Sequence, residues 1–362
     1  MRDARAFSFE GNPAQRGFLH GATLRDEIAA HLDALFAGWR RSGIHHPDAH
    51  ARAFLDATAF QDAIALWAPA LMAEIEGVAE GASIPPEHAY LLQLLDEEWA
   101  YRRSLGIVAP SNKCSAAAIR DDVSGTCIGQ NMDLGAYTDG FQRLVVHREQ
   151  GQPDQLIFTL AGMLGLMGVN AVGLAVCVNA IPQGGAQRSG LPVAFVIRRL
   201  LQERCAKAAG DLARRIDHAT SQHYLIADRH RIVSLEARPD RVDLVPPYAP
   251  CCYLHTNHLL GDGSVPRQDS WKDRNSLARL STLQARLGQT GPDMSALAQA
   301  LASQDDPDHP VCQEIGQLAG ITDFTTGSLV SVLSADGSVS GLWSPGPPVR
   351  DGWQPWSLSG PI

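Results

Sequence analysis

Near residue 114 the hydrophobic period of the chain changes, and that change restricts the fold more than any single motif. Upstream, apolar residues recur at spacings of three and four; downstream they come in short runs of strand length. Thr23, with Asp26 three residues on, predicts a helix start, and Leu24, Ile28, Leu32, Leu35, Phe36 and Trp39 then share one face. A second helix is expected from Pro69, with Leu71, Met72, Ile75 and Val78 as its apolar stripe and Gly81 as its stop. Ser83 and the Pro85-Pro86 pair open a third, with Tyr90, Leu91, Leu94 and Leu95 inward. His45, His46, Asp48 and His50 read as a polar loop after the first helix.

Beyond the change, strands are expected over 114–119, 127–132, 144–147, 156–160 and 173–179, followed by a helical stretch over 193–209. A hairpin around Asp228-Arg229-His230-Arg231 joins 224–227 to 232–236, and 242–245 reads as a further strand. Another helix is expected over 270–287, and a last hairpin pairs 329–333 with 339–343 through Asp336-Gly337. The ending, rich in Pro, Gly and Trp (Trp343, Trp353, Trp356), reads as a surface strap. Strand runs separated by two helical blocks predict sheets covered by helices, an α+β layered fold and not a regular βαβ alternation.

Several function classes are disfavoured. No G-x-G-x-x-G follows a first strand, and neither a phosphate-binding G-x-x-x-x-G-K-[ST] nor a G-x-S-x-G nucleophile elbow occurs. Acidic residues outnumber basic ones, 39 against 30, for a formal charge of -9 without a Lys/Arg block, which argues against a nucleic-acid groove or an anionic membrane surface. The expected partner is a small molecule. The first residues show no apolar signal core, no long apolar span is present, and the cysteines (114, 127, 177, 205, 251, 252, 312) lack framework spacing. A reducing, cytoplasmic setting is the expectation.

Candidate chemistry centres on Cys114, at the period change, in Ser111-Asn-Lys-Cys-Ser-Ala-Ala-Ala-Ile119. Cys127, Cys177 and Cys205 read as buried apolar filler. Cys114 stands apart because Gly129-Gln-Asn-Met-Asp133, a strand ending in an acid, can be returned beside it by a hairpin.

These segments, with Gly165-Leu-Met-Gly-Val-Asn170, Gly173-Leu174, His223-Tyr-Leu-Ile-Ala-Asp228, Glu236, Tyr253-Leu-His-Thr-Asn-His258 and Asp269-Ser-Trp-Lys-Asp-Arg274, resemble the acyl-coenzyme A:6-aminopenicillanic acid acyltransferase family. That family is related to penicillin V acylases and bile salt hydrolases among the N-terminal nucleophile hydrolases. Gly17, Gly21, Leu24-Arg25 and Glu74-Ile-Glu-Gly-Val-Ala-Glu-Gly81 agree with it, so the resemblance spans nearly the whole chain. It implies a four-layer αββα sandwich made as a precursor that cleaves itself at Lys113-Cys114. The products would be a helical α chain, residues 1–113, and a β chain, residues 114–362, held together and able to form homo-oligomers.

The resemblance further implies that Asp133 holds the nucleophile, Asn257 donates to the oxyanion, Asn179 binds substrate or oxyanion, and Arg274 fixes Asp133 or the nucleophile electrostatically. Family members often carry Gly where Lys113 stands and Thr where Ser115 stands; bile salt hydrolases carry Arg in place of Gln130, and relatives often have a basic residue at Gln313. The chemistry has its own logic: a chain-terminal α-amine, with pKa roughly 7.7 to 8.0, can take the proton of a thiol at about 8.5. One residue then supplies nucleophile and base, and a thioester forms on Cys114.

The expected activity is hydrolysis of a small N-acyl amine or N-acyl amino compound, without a cofactor. Two alternatives stand beside it: acyl-coenzyme A-dependent N-acyl transfer through the same thioester, and an uncleaved, inactive relative that only binds ligand. Cys251-Cys252-x-x-His255-x-x-His258 could suggest zinc. Adjacent cysteines on a strand, however, point to opposite faces, and no metal is expected.

Overall fold

The computed structural model describes residues 6–107, 113–261 and 271–358. After strand β1 (Ala6–Glu10), Asn12 starts helix α1 (Pro13–Thr23): its side chain accepts from Gln15 N while Gln15 reaches back to the Asn12 backbone, each bond 3.0 Å. α2 (Arg25–Arg41), α3 (Pro47–Asp56), α4 (Phe60–Trp67), α5 (Pro69–Ala82), α6 (Pro86–Leu92) and α7 (Leu95–Ser104) complete the helical third. Thr23 therefore ends one helix instead of capping the next. α1 escapes a search for apolar periodicity because its buried face is Arg16, Gly17, His20 and Gly21.

Those glycines let α1 lie almost backbone to backbone on α5, whose Gly77 and Gly81 answer them. A Cβ on Gly17 would stand 1.8 Å from Glu74 O, and one on Gly81 2.2 Å from Phe18 O. Glu74 emerges from this contact fully buried, bound by Arg16 at 2.8 Å and by Arg198 at 2.8 and 3.2 Å. Burial alone would raise the Glu74 carboxyl, but Arg198 leads the charges that hold it far below the carboxylate range. This ion cluster anchors the helical third to the strands.

The strands follow in two sheets. β4 (Gln142–Arg148), β5 (Gln155–Leu160), β6 (Met167–Asn170), β7 (Ala175–Ala180), β8 (Gln222–Ala227), β9 (Ile232–Ala237) and β10 (Val242–Leu244) form one with β1 at its edge, in the order β1-β4-β5-β6-β7-β8-β9-β10. β2 (Lys113–Asp121), β3 (Gly125–Gly135), β11 (Cys252–His255), β12 (Asp323–Ser334), β13 (Val339–Ser344) and β14 (Gln354–Leu358) form the other, in the order β11-β2-β3-β12-β13-β14. α8 (Val193–Leu200) and α9 (Ala206–Ala213) cover the first sheet; α10 (Trp271–Leu287) and α11 (Met294–Leu301) cover the second. The sheets face one another through β2 and β7, so the layers run αββα, as expected.

Side chains of β2 alternate between two cores, as strand geometry requires. Cys114, Ala116 and Ala118 face the inter-sheet core, whereas Ala117 and Ile119 join Leu283, Leu287, Leu297 and Leu301 beneath α10 and α11.

Three further expectations change. The stretch over 193–209 is two helices, because Cys205 is extended and Asp228 accepts from Ala206 N at 2.7 Å to start α9. The C-terminal strap is strand β14, paired to β13 and burying Trp343 and Trp356. Only His45 and His46 of the polar loop stay in a loop; α3 begins at Pro47, and His50 bonds Glu98 at 2.7 Å. Residue 270, placed in the predicted helix, lies outside the described residues.

Candidate active site

Cys114 stands at the second position of β2, opposite Met132 of β3, and is 2% exposed. Its Sγ lies 3.6 Å from Met132 Sδ. Lys113 pairs with Asp133, so the bond between Lys113 and Cys114 sits inside a paired strand. Burial pushes the Cys114 thiol up to about 12, with the Asp133 carboxylate adding to the rise and the Asp133 backbone N–H opposing it. As an internal residue the thiol is therefore protonated near neutrality, and it becomes a nucleophile only when a base is supplied.

The antiparallel register of β11 on β2 runs from Cys252 against Ile119 to His255 against Ala116, and its continuation carries Asn257 to Cys114. Asn257 Oδ1 accepts from Cys114 N and from Arg279 Nη2, each at 2.8 Å, while Asn257 Nδ2 donates to Ala180 O at 2.9 Å. Two donors on one atom fix which end of the amide is oxygen. Ser276 of α10 pins the same loop by accepting from Asn257 N at 2.8 Å.

Arg279 is the cation of this cluster. It donates to Cys114 O at 2.7 Å, to Ser115 Oγ at 2.8 Å and, through Nε, to Asn275 Oδ1 at 2.8 Å. Burial lowers its guanidinium, and the Asp133 carboxylate is the leading charge that opposes the fall. Arg274, the expected arginine, lies on another face of α10: five positions at about 100° per residue turn it well away from Arg279. It is exposed and lines a separate cavity with Asp308 and His309. That placement corrects the expectation for Arg274.

Asn179, on β7, is fully buried. Its Oδ1 bonds His223 Nδ1 at 3.0 Å, and its Nδ2 has no hydrogen-bond acceptor. His223 Nε2 meets Ser234 Oγ at 2.8 Å; with an amide oxygen at Nδ1 the ring donates to Asn179 Oδ1 from Nδ1 and accepts from the serine hydroxyl at Nε2. The His223 ring stacks on His255 across the two sheets, with centroids 3.7 Å apart and planes 5° from parallel. His255 in turn bonds Glu236 Oε1 at 2.8 Å. Burial acts to raise the Glu236 carboxyl, but His255 and the N–H groups of Leu260 and Gly261 hold it below its usual value. His255 thus serves Glu236, Cys252 Sγ faces Leu287 O at 3.9 Å and Cys251 is exposed, so this motif does not converge on a metal. No metal-holding group of His, Cys, Asp or Glu occurs among the described residues.

Beside Cys114 lies a small cavity of about 30 Å³, walled by Met132, Leu134, Met163, Leu166, Val178 and Ile197, with Gln93, Asp96 and Gln222 as its polar members. Gln130 does not enter it as a ligand contact. Its carboxamide bonds both Val178 O and Val178 N, filling a gap where β6 pairs with β7 only through Gly168 and Val169. Gln313 is likewise committed, donating to Asp323 O at 2.6 Å.

The family model described as "Acyl-coenzyme A:6-aminopenicillanic acid acyl-transferase" matches residues 121–325, more than half of the chain. The chain belongs to that family. The matched residues include Asp133, Asn179, Asn257 and Arg279, with Cys114 just ahead of them. The acyl-coenzyme A:6-aminopenicillanic-acid-acyltransferase 40 kDa form of Emericella nidulans is 26% identical over 282 residues, 75% of each chain. Among solved structures, a Caenorhabditis elegans N-acylethanolamine-hydrolyzing acid amidase ortholog is 18% identical, covering 68% of this chain and 100% of its own, at a TM-score of 0.45. A mutant conjugated bile acid hydrolase from Clostridium perfringens is 11% identical, covering 67% and 92%, at 0.43.

Within this acyl-transferase family member, the fold brings Cys114, Asp133 and Asn257 close to one another, places Asn179 on the facing sheet, and sets Arg279 beside Cys114 and Asn257. Sequence reading missed Arg279, His223, His255 and Asp96 as individual site residues. His223 and His255 lay within quoted motifs, whereas Arg279 lies beyond Asp269–Arg274, and only the phase of α10 against β2 brings it in. No described helix is long and apolar enough to cross a membrane.

Proposed function

We propose that the chain cleaves itself between Lys113 and Cys114 and then acts as a cysteine amidohydrolase. In the first step Cys114 Sγ attacks the Lys113 carbonyl carbon, the C–N bond breaks, and its nitrogen becomes the α-amine of Cys114. Water hydrolyses the resulting thioester, leaving a Lys113 carboxylate and a free thiol. Residues 1–113 and 114–362 then form the α and β chains of one zymogen-derived enzyme. The observation that supports this most is the bond from Cys114 N to Asn257 Oδ1 at 2.8 Å. The amine made by cleavage can keep donating there while its lone pair takes the thiol proton, so the base is oriented before it exists.

In turnover the thiolate adds to a substrate amide carbonyl, the amine leaves protonated, and water hydrolyses the thioester. Side-chain donors for the oxyanion are Asn179 Nδ2, which can donate without giving up an existing bond, and Asn257 Nδ2, which exchanges its bond to Ala180 O. Arg279 offsets negative charge at Asp133 and fixes the Cys114 carbonyl. Acyl transfer through the same thioester is the second reading, supported by the activity in the family's description and in the Emericella nidulans relative's name.

Intact mass and a denaturing gel test the first step: two chains divided before Cys114 are expected, and one uncut chain from Cys114→Ala. The processed protein is then assayed against N-acyl amines with and without acyl-coenzyme A. An uncut wild-type chain that turns substrates over at full rate would overturn the reading. Turnover only with the coenzyme A thioester would select transfer.

A further inference from the structure

β7 loses a neighbour just where it carries site residues. β6 pairs with it only through Gly168 with Val176 and Val169 with Ala175, and the next residue in register, Leu166, turns its N–H to Phe158 O of β5 at 3.0 Å. Alternate residues of a strand present their N–H and C=O groups to the same edge, so Val176, Val178 and Ala180 share the edge that β6 leaves. Buried backbone groups of this kind require partners. Both replacements come from the side of the facing sheet. Gln130 of β3, fully buried, accepts from Val178 N at 2.8 Å and donates through Nε2 to Val178 O. Asn257 Nδ2 then donates to Ala180 O at 2.9 Å.

A carboxamide carries a donor and an acceptor side by side, so one side chain completes both ladder bonds of Val178. A carboxylate brings no donor, a hydrocarbon neither group, and an asparagine is a methylene too short. Gln130 lies two residues from Met132, which faces Cys114, so it ties β7 to the hairpin that carries the nucleophile. Between the two tied positions stands Asn179, held through Oδ1 by His223 of β8, with Nδ2 lacking an acceptor.

We propose that Gln130 is a positioning residue for the oxyanion donors. By standing in for β6 at Val178 it fixes the end of β7, which keeps Asn179 Nδ2 and the Ala180 carbonyl that holds Asn257 in place relative to Cys114. The assignment rests on the amidase reading for what those two amides do, but the hold on β7 does not.

The test is Gln130→Met, which keeps the length of the side chain and removes both bonds, with thermal melting to confirm folding and rates taken per processed chain. Gln130→Asn, polar but unable to reach both groups, serves if the methionine variant does not fold. Hydrogen exchange followed by mass spectrometry should show faster exchange over 175–181 than in the wild type, and unchanged exchange there overturns the proposal. Against N-acyl amines kcat should fall about 10²-fold, as misplacement of reacting groups by about 1 Å can cost, with KM within about threefold. In an Asn179→Ala background the same substitution should cost less than about tenfold, because the two residues act through one donor. A full, additive loss in that background also overturns the proposal, since a general effect on packing would multiply with it. A wild type that hydrolyses no amide defeats the amidase reading, and the exchange measurement still decides whether Gln130 fixes β7.

Discussion

Replacing Arg279 by lysine and, separately, Arg274 by alanine tests which arginine of α10 serves the nucleophile. Arg279 places four hydrogen bonds on Cys114 O, Ser115 Oγ, Asn257 Oδ1 and Asn275 Oδ1, at 2.7, 2.8, 2.8 and 2.8 Å. A lysine keeps the charge, but its single tetrahedral nitrogen cannot span the fork. With two of the four bonds lost, and hydrogen bonds to charged groups contributing ~1.5–3 kcal/mol each, the loss is about 3 to 6 kcal/mol. Felt by the geometry of the reacting bond, that slows self-cleavage at least about 100-fold. The assay follows the appearance of the two chains by mass after expression, with thermal melting to confirm that the variant folds. Arg274→Ala, at an exposed position, should change stability by no more than about 0.5 kcal/mol and leave cleavage within about threefold of the wild type. Cleavage of Arg279→Lys at a near-normal rate, or a tenfold defect in Arg274→Ala, would refute the placement of Arg279.

Asn257→Ala should slow acylation by about 10²- to 10³-fold, measured as the burst of leaving amine from processed enzyme, because it loses an oxyanion donor and the acceptor for Cys114 N. Gly17→Ala should unseat α1 from α5, since its Cβ would stand 1.8 Å from Glu74 O; a large drop in melting temperature is expected, with cleavage reduced in step. Glu97→Gln tests the buried carboxyl through pH. Its folded pKa, about 8, lies above the 4.5 of an ordinary glutamate, so the native state holds the proton longer than the unfolded chain and stability falls as pH rises between them. The glutamine variant should flatten that fall in denaturant melts; an unchanged slope would mean the group is ionised throughout.

Much of the molecule could be read from local pattern. Pro69 and Ser83 bound α5, Asp228 turns the hairpin between β8 and β9 by accepting from His230 N and Arg231 N at 2.7 and 2.8 Å, and β2 with β3 is a sequence-local hairpin that sets Cys114 near Asp133. These features depend on backbone preferences and on partners a few residues apart, which is why their signals lie in the chain itself.

The remainder depends on how distant elements meet. α1 is held by glycine contact and a buried ion cluster, neither of which leaves an apolar period. Arg279 and Arg274 sit on one helix and are chemically alike; only the rotation of α10 against β2 sends one to Cys114 and the other to solvent. The stack of His223 on His255 joins two sheets, and Asp96 reaches the pocket because α7 begins there. Residue types and order thus pointed to the candidate nucleophile, its acid neighbour and the layered architecture. Tertiary packing decided which arginine, which amide orientations and which pocket charges serve them, because hydrogen bonds and Coulomb contacts are settled by ångström-scale register between elements far apart in sequence.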